Sequence, residues 1–217
     1  MIDYQAARTA MVDCQVRPSD VTLYPIIAAM LEVPRELFVP RALRGVAYAG
    51  SELELGGGRV ELEPRVVAKM LDALNPDPEA LVLDVAPGMG YTAALLARLC
   101  AAVVAVEEDA DLAAAASEAL AEAGCDTVLV ENRPLAQGAP EHGPFDAIFV
   151  NGGVEFLPET LAGQLKPGGR IVAIFMQGAL GRCRLGTKTG AGIAWRSVFD
   201  ATAPVLSGFK KATEFVF

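Results

Sequence analysis

The chain has 217 residues, of which 53% are hydrophobic and 21% charged, and this apolar content excludes an intrinsically disordered chain. Its 27 acidic and 18 basic residues give a formal net charge of −9, which argues against binding to nucleic acids or to anionic membrane surfaces. The first residues show no basic stretch followed by an apolar run, so we expect no signal peptide and a cytoplasmic protein.

The N-terminal third is predicted to be mainly helical, with a glycine-rich segment before its last helix. Helical spacing of apolar residues is found in three stretches: residues 4–16, 21–31 and 65–74. Residues 48–64 instead combine glycines with alternating acidic and apolar residues. That pattern is typical of a short hairpin followed by a loop.

After a breaker at residues 75–78, short apolar runs alternate with helical stretches. The strands are predicted at residues 81–85, 102–106, 127–130, 147–150 and 170–175, and the helices at residues 91–99, 111–123 and 158–165. This alternation predicts a doubly wound, mostly parallel α/β sheet. A hairpin predicted over residues 183–199 would add antiparallel strands at the C-terminal end.

The cysteines and the histidine follow no pattern of a known metal or nucleophile site. The four cysteines are widely separated, without a Cys-x-x-Cys pair, and His142 is the one histidine of the chain. This spacing excludes the usual zinc sites, and a Ser-His or Cys-His catalytic pair would have to use His142. We therefore expect no metal ion.

The loops after the first two predicted strands carry the clearest functional pattern, because ligands of doubly wound sheets bind beyond the carboxyl ends of the strands. Gly88 and Gly90 in the first loop allow close approach of a ligand to the backbone. Glu107 ends the second strand 17 residues beyond Gly90, a spacing at which an acid accepts both hydroxyls of a ribose. Ala93 stands where the dinucleotide fingerprint needs a glycine, so an adenosine-type ligand is favoured over a nicotinamide cofactor.

Several stretches resemble a known family. Residues 81–97, LVLDVAPGMGYTAALLA, resemble the first motif of class I S-adenosylmethionine-dependent methyltransferases. Residues 30–40, MLEVPRELFVP, followed by Ala47-Tyr48, are similar to the N-terminal signature of the protein-L-isoaspartate O-methyltransferase family, and residues 145–150 and 165–172 match its later strands. The resemblance implies a Rossmann-like methyltransferase fold. It also implies S-adenosyl-L-methionine as cofactor, S-adenosyl-L-homocysteine as product, and a peptide or protein carboxylate, such as that of isoaspartyl residues, as acceptor.

The resemblance also implies roles for individual residues of the cofactor site. Gly88 and Gly90 would lie against the methionine part of the cofactor, and Glu107 would hold the ribose hydroxyls. Asn132 would reach the adenine, and Asp84 would lie near the ammonium group of the ligand. The other residues expected to line this site are Ala86, Pro87, Tyr91, Glu108 and Arg133.

The acceptor side departs from the family and makes this chain a divergent member. Where the family has Thr-Ile-Ser-x-Pro, Val60 and Leu62 occupy the two hydroxyl positions. A carboxylate that approaches Leu62 would lose a hydrogen bond, at a cost of about 1–3 kcal/mol. Asn151 follows the fourth predicted strand, where the acceptor is expected. Val60, Leu62 and Asn151 are therefore the predicted acceptor-side residues, and Glu61 and Glu63 would repel an anionic substrate unless they point away.

We interpret residues 1–217 as a single methyltransferase-like domain. Residues 1–74 would supply the N-terminal helices and the acceptor loop, and residues 79–217 the cofactor-binding α/β core. Methyl transfer to a carboxylate depends mainly on positioning and needs neither a metal ion nor an obligatory base. Two alternatives remain open: a non-catalytic S-adenosylmethionine-binding protein that has lost isoaspartyl repair activity, and a nucleotide-binding oxidoreductase of the same sheet class.

Overall fold

The computed structural model describes residues 2–211 of the chain. The α-helices in this part are α1 (Tyr4–Met11), α2 (Tyr24–Glu32), α3 (Pro64–Leu74), α4 (Tyr91–Leu96), α5 (Ala110–Glu122) and α6 (Glu159–Gly163). Local sequence explains their ends: α3 begins at a proline, which suits the first turn of a helix, and stops at Asn75 in the left-handed region with a φ of 40°. The longest helix described has 13 residues, and none within residues 2–211 has the length and hydropathy needed to cross a bilayer.

Within residues 2–211, nine strands form two sheets. They are β1 (Leu53–Gly56), β2 (Arg59–Glu61), β3 (Leu81–Val85), β4 (Ala102–Glu107), β5 (Val128–Asn132), β6 (Phe145–Val154), β7 (Leu165–Gln177), β8 (Leu180–Thr189) and β9 (Gly192–Asp200). Strands β1 and β2 form an antiparallel hairpin, hereafter the β1–β2 hairpin, and the other seven form one sheet in the order β5-β4-β3-β6-β7-β8-β9. The first five strands in this order are parallel, and β8 and β9 are antiparallel. The predicted doubly wound sheet with antiparallel C-terminal strands is therefore confirmed.

The large sheet separates two apolar cores. Neighbouring residues of β3 point to opposite faces, so Val82 belongs to one core and Leu83 to the other. Buried residues of the N-terminal helices, α3, α4 and α5 fill the first core, and Leu161 of α6 lies in the second. Because parallel strands are covered on both faces, their residues form nearly continuous apolar runs, as in the buried stretch from Val103 to Val106.

Strand β6 is longer than predicted, because its end pairs with β7 beyond a register shift and also with the C-terminal segment. The sequence predicts a strand that stops at Val150, whereas β6 continues to Val154. The Gly153 N–H donates to the Pro204 carbonyl at 2.8 Å, and the Leu206 N–H donates to the Gly153 carbonyl at 2.9 Å. Residues 203–209, hereafter the C-terminal strap, thus lie along the carboxyl end of β6, against Gly152 and Gly153.

Replacing Gly153 with alanine is expected to lower the free energy of unfolding by about 1–3 kcal/mol, the usual cost of overpacking. A Cβ at this position would lie 2.5 Å from the Ala203 carbonyl oxygen, so the C-terminal strap would have to move. Denaturant unfolding of Gly153→Ala and of the control Gly190→Ala, whose Cβ would meet nothing within 4 Å, measures the difference. Equal stability of the two variants would contradict the role given to the strap.

Candidate active site

The loop after β3 is a tight turn that leads into α4. Its Ala86, Gly88 and Gly90 have φ values of 64°, 60° and 97°, which lie in the left-handed region. For Ala86, which has a Cβ, this conformation costs about 1–2 kcal/mol. The Ala86 N–H donates to the Val106 carbonyl at 2.9 Å, and the Gly90 N–H donates to the Pro87 carbonyl at 2.9 Å, so the turn is held in place from both sides.

Glu107 ends β4 directly beside this turn, and its side chain is fully buried. One carboxylate oxygen accepts the Gly88 N–H at 3.0 Å, and the other accepts the Asp109 N–H at 3.2 Å. Neighbouring backbone groups therefore fix the orientation of this carboxylate. Glu107 and the turn lie at the carboxyl edge of the sheet, as the sequence predicts.

Asp84 lies near the end of β3 in a buried polar cluster. Its carboxylate accepts the Thr92 hydroxyl and the Asn151 side-chain amide, both at 2.7 Å, and Asn151 also donates to Thr92. Burial raises the pKa of Asp84 to about 7, and the two hydrogen bonds counteract part of that rise. Asn151, predicted on the acceptor side, thus uses its amide N–H groups to support Asp84.

The β1–β2 hairpin covers the edge where Glu107 lies. Its Arg59 reaches both oxygens of the Glu107 carboxylate, at 2.7 and 3.0 Å, and donates to the Ala86 carbonyl at 2.9 Å. Its Leu55 packs on the turn so closely that a Cβ on Gly88 would lie 2.5 Å from Leu55 Cδ1. The hairpin therefore contacts both the predicted ribose-binding acid and the glycine predicted to face the methionine part of the ligand.

The residues predicted near the adenine follow β4 and β5. Asn132 is exposed, and its side-chain amide donates to the carbonyls of Glu107 at 2.9 Å and Glu108 at 3.1 Å. No donor within residues 2–211 hydrogen-bonds to its own side-chain oxygen. Glu108 is half-buried, and Arg133 forms ion pairs with Glu131 and Glu141. The side-chain contacts of Arg133 are thus made to these two acids.

Tyr91, predicted to contact the cofactor, faces the N-terminal segment. Its ring is fully buried, with the Phe38 ring at 6.0 Å between centroids and the Arg35 guanidinium at 4.6 Å from the ring centre. Its hydroxyl is buried, with no hydrogen-bond partner within residues 2–211. The contacts of Tyr91 thus join the turn before α4 to residues 35–38.

The acceptor positions of β2 and the loop after it are largely apolar. Val60 is half-buried and Leu62 is 2% exposed. Between them, Glu61 points inward and forms a fully buried ion pair with Arg35, at 2.9 Å. Burial raises the pKa of Glu61 to about 7, although Arg35 opposes that rise. Glu61 therefore does not present its charge to an approaching substrate.

A cleft of about 620 Å³ opens at Glu63, which follows Leu62, between the start of α3, the ends of β7 and β9 and the start of β8. Its charged and aromatic lining residues include Glu52, Glu63, Arg65, Phe175, Arg182 and Arg184. The Arg184 guanidinium lies 5.0 Å from the centre of the Phe175 ring, and its buried Nε has no hydrogen-bond partner within residues 2–211. This cleft is a candidate for the acceptor side of the site.

Three residues of the site are absent from the sequence-based set: Arg59, Thr92 and Arg35. Arg59 and Arg35 bind acids 48 and 26 residues away, and a pairing over such a separation leaves no local pattern in the sequence. Thr92 lies eight residues after Asp84, and its polar side chain within an otherwise apolar helix start was an available signal.

Comparison with known proteins gives one consistent family. The family described as Protein-L-isoaspartate(D-aspartate) O-methyltransferase matches residues 8–190. A protein-L-isoaspartate O-methyltransferase of Pelotomaculum thermopropionicum is 43% identical over 148 residues, which make up 68% of this chain and 65% of that protein. The chain thus spans just under two thirds of that relative. The enzyme of the same name from Gloeobacter violaceus is 39% identical over 87% of this chain and 93% of its own length.

Solved structures give the same fold. One protein-L-isoaspartate O-methyltransferase superposes with a TM-score of 0.81 at 25% identity, covering 93% of this chain and 66% of the other. A Plasmodium falciparum structure described as a protein-L-isoaspartate O-methyltransferase in complex with S-adenosyl-L-homocysteine has a TM-score of 0.79 at 19% identity. It covers 95% of this chain and 99% of its own, and supports the fold alone.

Proposed function

The chain belongs to the protein-L-isoaspartate(D-aspartate) O-methyltransferase family, and from this premise we propose that it methylates a carboxylate of a peptide or protein, using S-adenosyl-L-methionine. The two relatives described above carry the name of that activity. The observation that carries the proposal is the buried Glu107 carboxylate beside the Gly88 turn. That arrangement suits a ligand that offers two adjacent hydroxyls and needs close contact with the backbone.

The residues present fit an adenosine-type cofactor. Both Glu107 oxygens already accept a pair of donors from one planar group, the Arg59 guanidinium, so they can equally accept the vicinal hydroxyls of a ribose. Asn132 has a free carbonyl oxygen for an adenine amino group, and Asp84 supplies a carboxylate for the ligand ammonium. Asp84 is held for this role by Thr92 and Asn151, whose hydrogen bonds favour its ionised form.

Methyl transfer to an ionised carboxylate needs positioning rather than proton transfer. When bound, S-adenosyl-L-methionine supplies a methyl group on a sulfonium that a carboxylate oxygen takes directly, with the electron pair of the broken C–S bond left on sulfur. The chain then has to exclude water and hold the acceptor. The apolar side chains of Val60 and Leu62 help to exclude water. The 620 Å³ cleft at Glu63 would receive the acceptor peptide.

The proposed partner is therefore a peptide or protein carboxylate, with that of isoaspartyl residues first among the candidates. The proposed location is the cytoplasm, where thiols such as those of the free Cys14 and Cys183 stay reduced. The loss of both acceptor hydroxyls at Val60 and Leu62 favours one second candidate, a protein that binds the cofactor without transferring its methyl group.

A direct test combines binding with turnover. Calorimetry is expected to give micromolar affinity for S-adenosyl-L-homocysteine, equivalent to about −8 kcal/mol. Isotope-labelled S-adenosyl-L-methionine is then expected to label an isoaspartyl peptide, with label that mild base releases as methanol, because a carboxyl methyl ester is base-labile. The same peptide with ordinary aspartate is the matched control. Binding without labelling of either peptide would support the second candidate, and no binding at millimolar ligand would refute both.

A further inference from the structure

Arg59 occupies the place that the proposed function assigns to the cofactor ribose. Its guanidinium pairs with both oxygens of Glu107 in a geometry that presents two parallel donors to one carboxylate. The Arg59 side chain is 11% exposed and that of Glu107 is fully buried, so the pair is shielded from water. The carboxylate cannot bind the guanidinium and a ribose in the same way at the same time. Cofactor binding therefore requires that Arg59 leave Glu107.

The β1–β2 hairpin that carries Arg59 has a tip suited to such a movement. Gly56, Gly57 and Gly58 all have positive φ values, of 98°, 59° and 76°, and a Cβ on any of them would meet nothing within 4 Å. Three successive glycines, with open space around each Cβ position, leave the tip free to change conformation at low cost. Leu55 would move with it and uncover Gly88, on which it packs.

The released guanidinium lies next to the positions where the acceptor hydroxyls are missing. Within residues 53–62, Arg59 is the one residue whose side chain carries a hydrogen-bond donor. Arg35, which also contacts this segment, is fully buried and committed to Glu61 and two backbone carbonyls. The 620 Å³ cleft has cations of its own, Arg65, Arg182 and Arg184, so Arg59 is the donor that the acceptor loop itself offers to an anionic acceptor.

We propose that Arg59 alternates between two carboxylates: it binds Glu107 in the free protein and the acceptor carboxylate once the cofactor has taken Glu107. The inference rests on the proposed function and extends it to the recognition of the substrate. It makes binding ordered, with the cofactor before the acceptor. It also selects for an anionic acceptor, because one carboxylate oxygen is held by the guanidinium while the other stays available for the methyl group.

The variants Arg59→Met and Arg59→Lys test both halves of the proposal. Arg59→Met is expected to bind S-adenosyl-L-homocysteine about tenfold more tightly than the unchanged protein, since nothing competes for Glu107; a tenfold change is about 1.4 kcal/mol. Its KM for the isoaspartyl peptide is expected to rise about tenfold or more, with a smaller change in kcat, because binding of the acceptor is what is lost. Arg59→Lys, which keeps the charge but not the paired donors, should fall between the two proteins in both measurements.

Two controls separate this mechanism from a general loss of structure. Arg170→Met removes one charge and one hydrogen bond to a backbone carbonyl at the amino edge of the sheet, and it should change neither measurement. In the Arg59→Met background, Glu107→Ala should weaken S-adenosyl-L-homocysteine binding by about tenfold or more. The ribose contact is lost there, and no competing guanidinium is removed from the ribose site at the same time. If Arg59→Met lacks its fold, the comparison is made with Arg59→Lys.

Unchanged or weaker S-adenosyl-L-homocysteine binding by Arg59→Met would overturn the exchange, and an unchanged peptide KM would overturn the role toward the acceptor. Failure of the proposed function looks different. In that case neither the unchanged protein nor any Arg59 variant binds S-adenosyl-L-homocysteine, and the Arg59–Glu107 ion pair is a structural contact only.

Discussion

Replacing Arg35 with methionine is expected to lower the free energy of unfolding by about 3–5 kcal/mol, because it breaks a buried ion pair from one side. Arg35 is fully buried and donates to the Glu61 carboxylate at 2.9 Å, the Ala47 carbonyl at 2.8 Å and the Leu62 carbonyl at 2.7 Å. The variant leaves three buried acceptors without this donor and removes the cation from the face of the Tyr91 ring.

The position of Arg35 explains why the effect should reach the active site. One side chain ties the N-terminal segment at Ala47 to the acceptor loop at Glu61 and Leu62, and touches Tyr91 at the start of α4. Loss of this link should loosen the β1–β2 hairpin as well as lower global stability. The hairpin would then be expected to exchange its amide hydrogens faster than β3 and β4.

Denaturant unfolding at neutral pH measures the loss, and the melting temperature should fall by about 10 °C for a chain of this size. The control is Arg17→Met, because Arg17 is exposed and pairs with the exposed Asp13, a contact typically worth less than about 1 kcal/mol. A double variant, Arg35→Met with Glu61→Met, should recover part of the stability, since no buried charge is left unpaired. A loss below about 1 kcal/mol for Arg35→Met would show that the pair is dispensable.

The fold followed from the sequence because its signals are local. Each predicted strand of the doubly wound sheet has a counterpart, since buried parallel strands need continuous apolar runs and the intervening helices need 3.6-residue periodicity. The glycine turn and Glu107 were also located correctly at the carboxyl edge, because their spacing is set by one strand and one helix. The end of β6 was predicted wrongly, because its extension depends on a shifted pairing with β7 and on the C-terminal strap some 50 residues later.

The contacts within the site were less predictable, for the same reason. The sequence places Arg59 in a hairpin and Glu107 at a strand end, but their pairing depends on how the hairpin folds over the sheet. The use of residues 151–153 was likewise hidden, because both glycines make room for the C-terminal strap and Asn151 supports Asp84.

Replacing Asp84 with asparagine is expected to weaken S-adenosyl-L-homocysteine binding by about 1.5–3 kcal/mol, that is, by about 10- to 150-fold, because the ligand ammonium loses a charged partner. The same change should stabilise the protein at pH 8. Burial raises the pKa of Asp84 from 3.8 to about 7 in the folded state, so the folded protein retains a proton that the unfolded chain releases between these values. The free energy of unfolding therefore falls as the pH rises through this window, by about 1.4 kcal/mol per pH unit, and is constant above it.

Asp84→Asn removes this pH dependence of the free energy of unfolding. A smaller pH dependence from Glu61 remains, because the pKa of Glu61 is also raised to about 7. Unfolding at pH 5 and pH 8, with S-adenosyl-L-homocysteine binding at the same pH values, measures both effects. The affinity of the unchanged protein should rise with pH through about 7 as Asp84 ionises, and that of the variant should stay flat. The control is Asp77→Asn in the exposed turn before β3, which should change neither quantity.

The test distinguishes two roles of Asp84, because the variant is expected to gain stability and to lose affinity for S-adenosyl-L-homocysteine. If Asp84 serves stability alone, the protein would lose both stability and affinity on neutralisation, because one of the two donors, Thr92 or Asn151, would face an amide NH2 in place of the oxygen that accepts from it. A residue kept for the ligand imposes a desolvation cost on the free protein, and removing its charge relieves that cost while it abolishes the contact with the ammonium. Higher stability together with weaker binding at pH 8 would therefore assign Asp84 to the cofactor, and a loss of both would make it a structural residue.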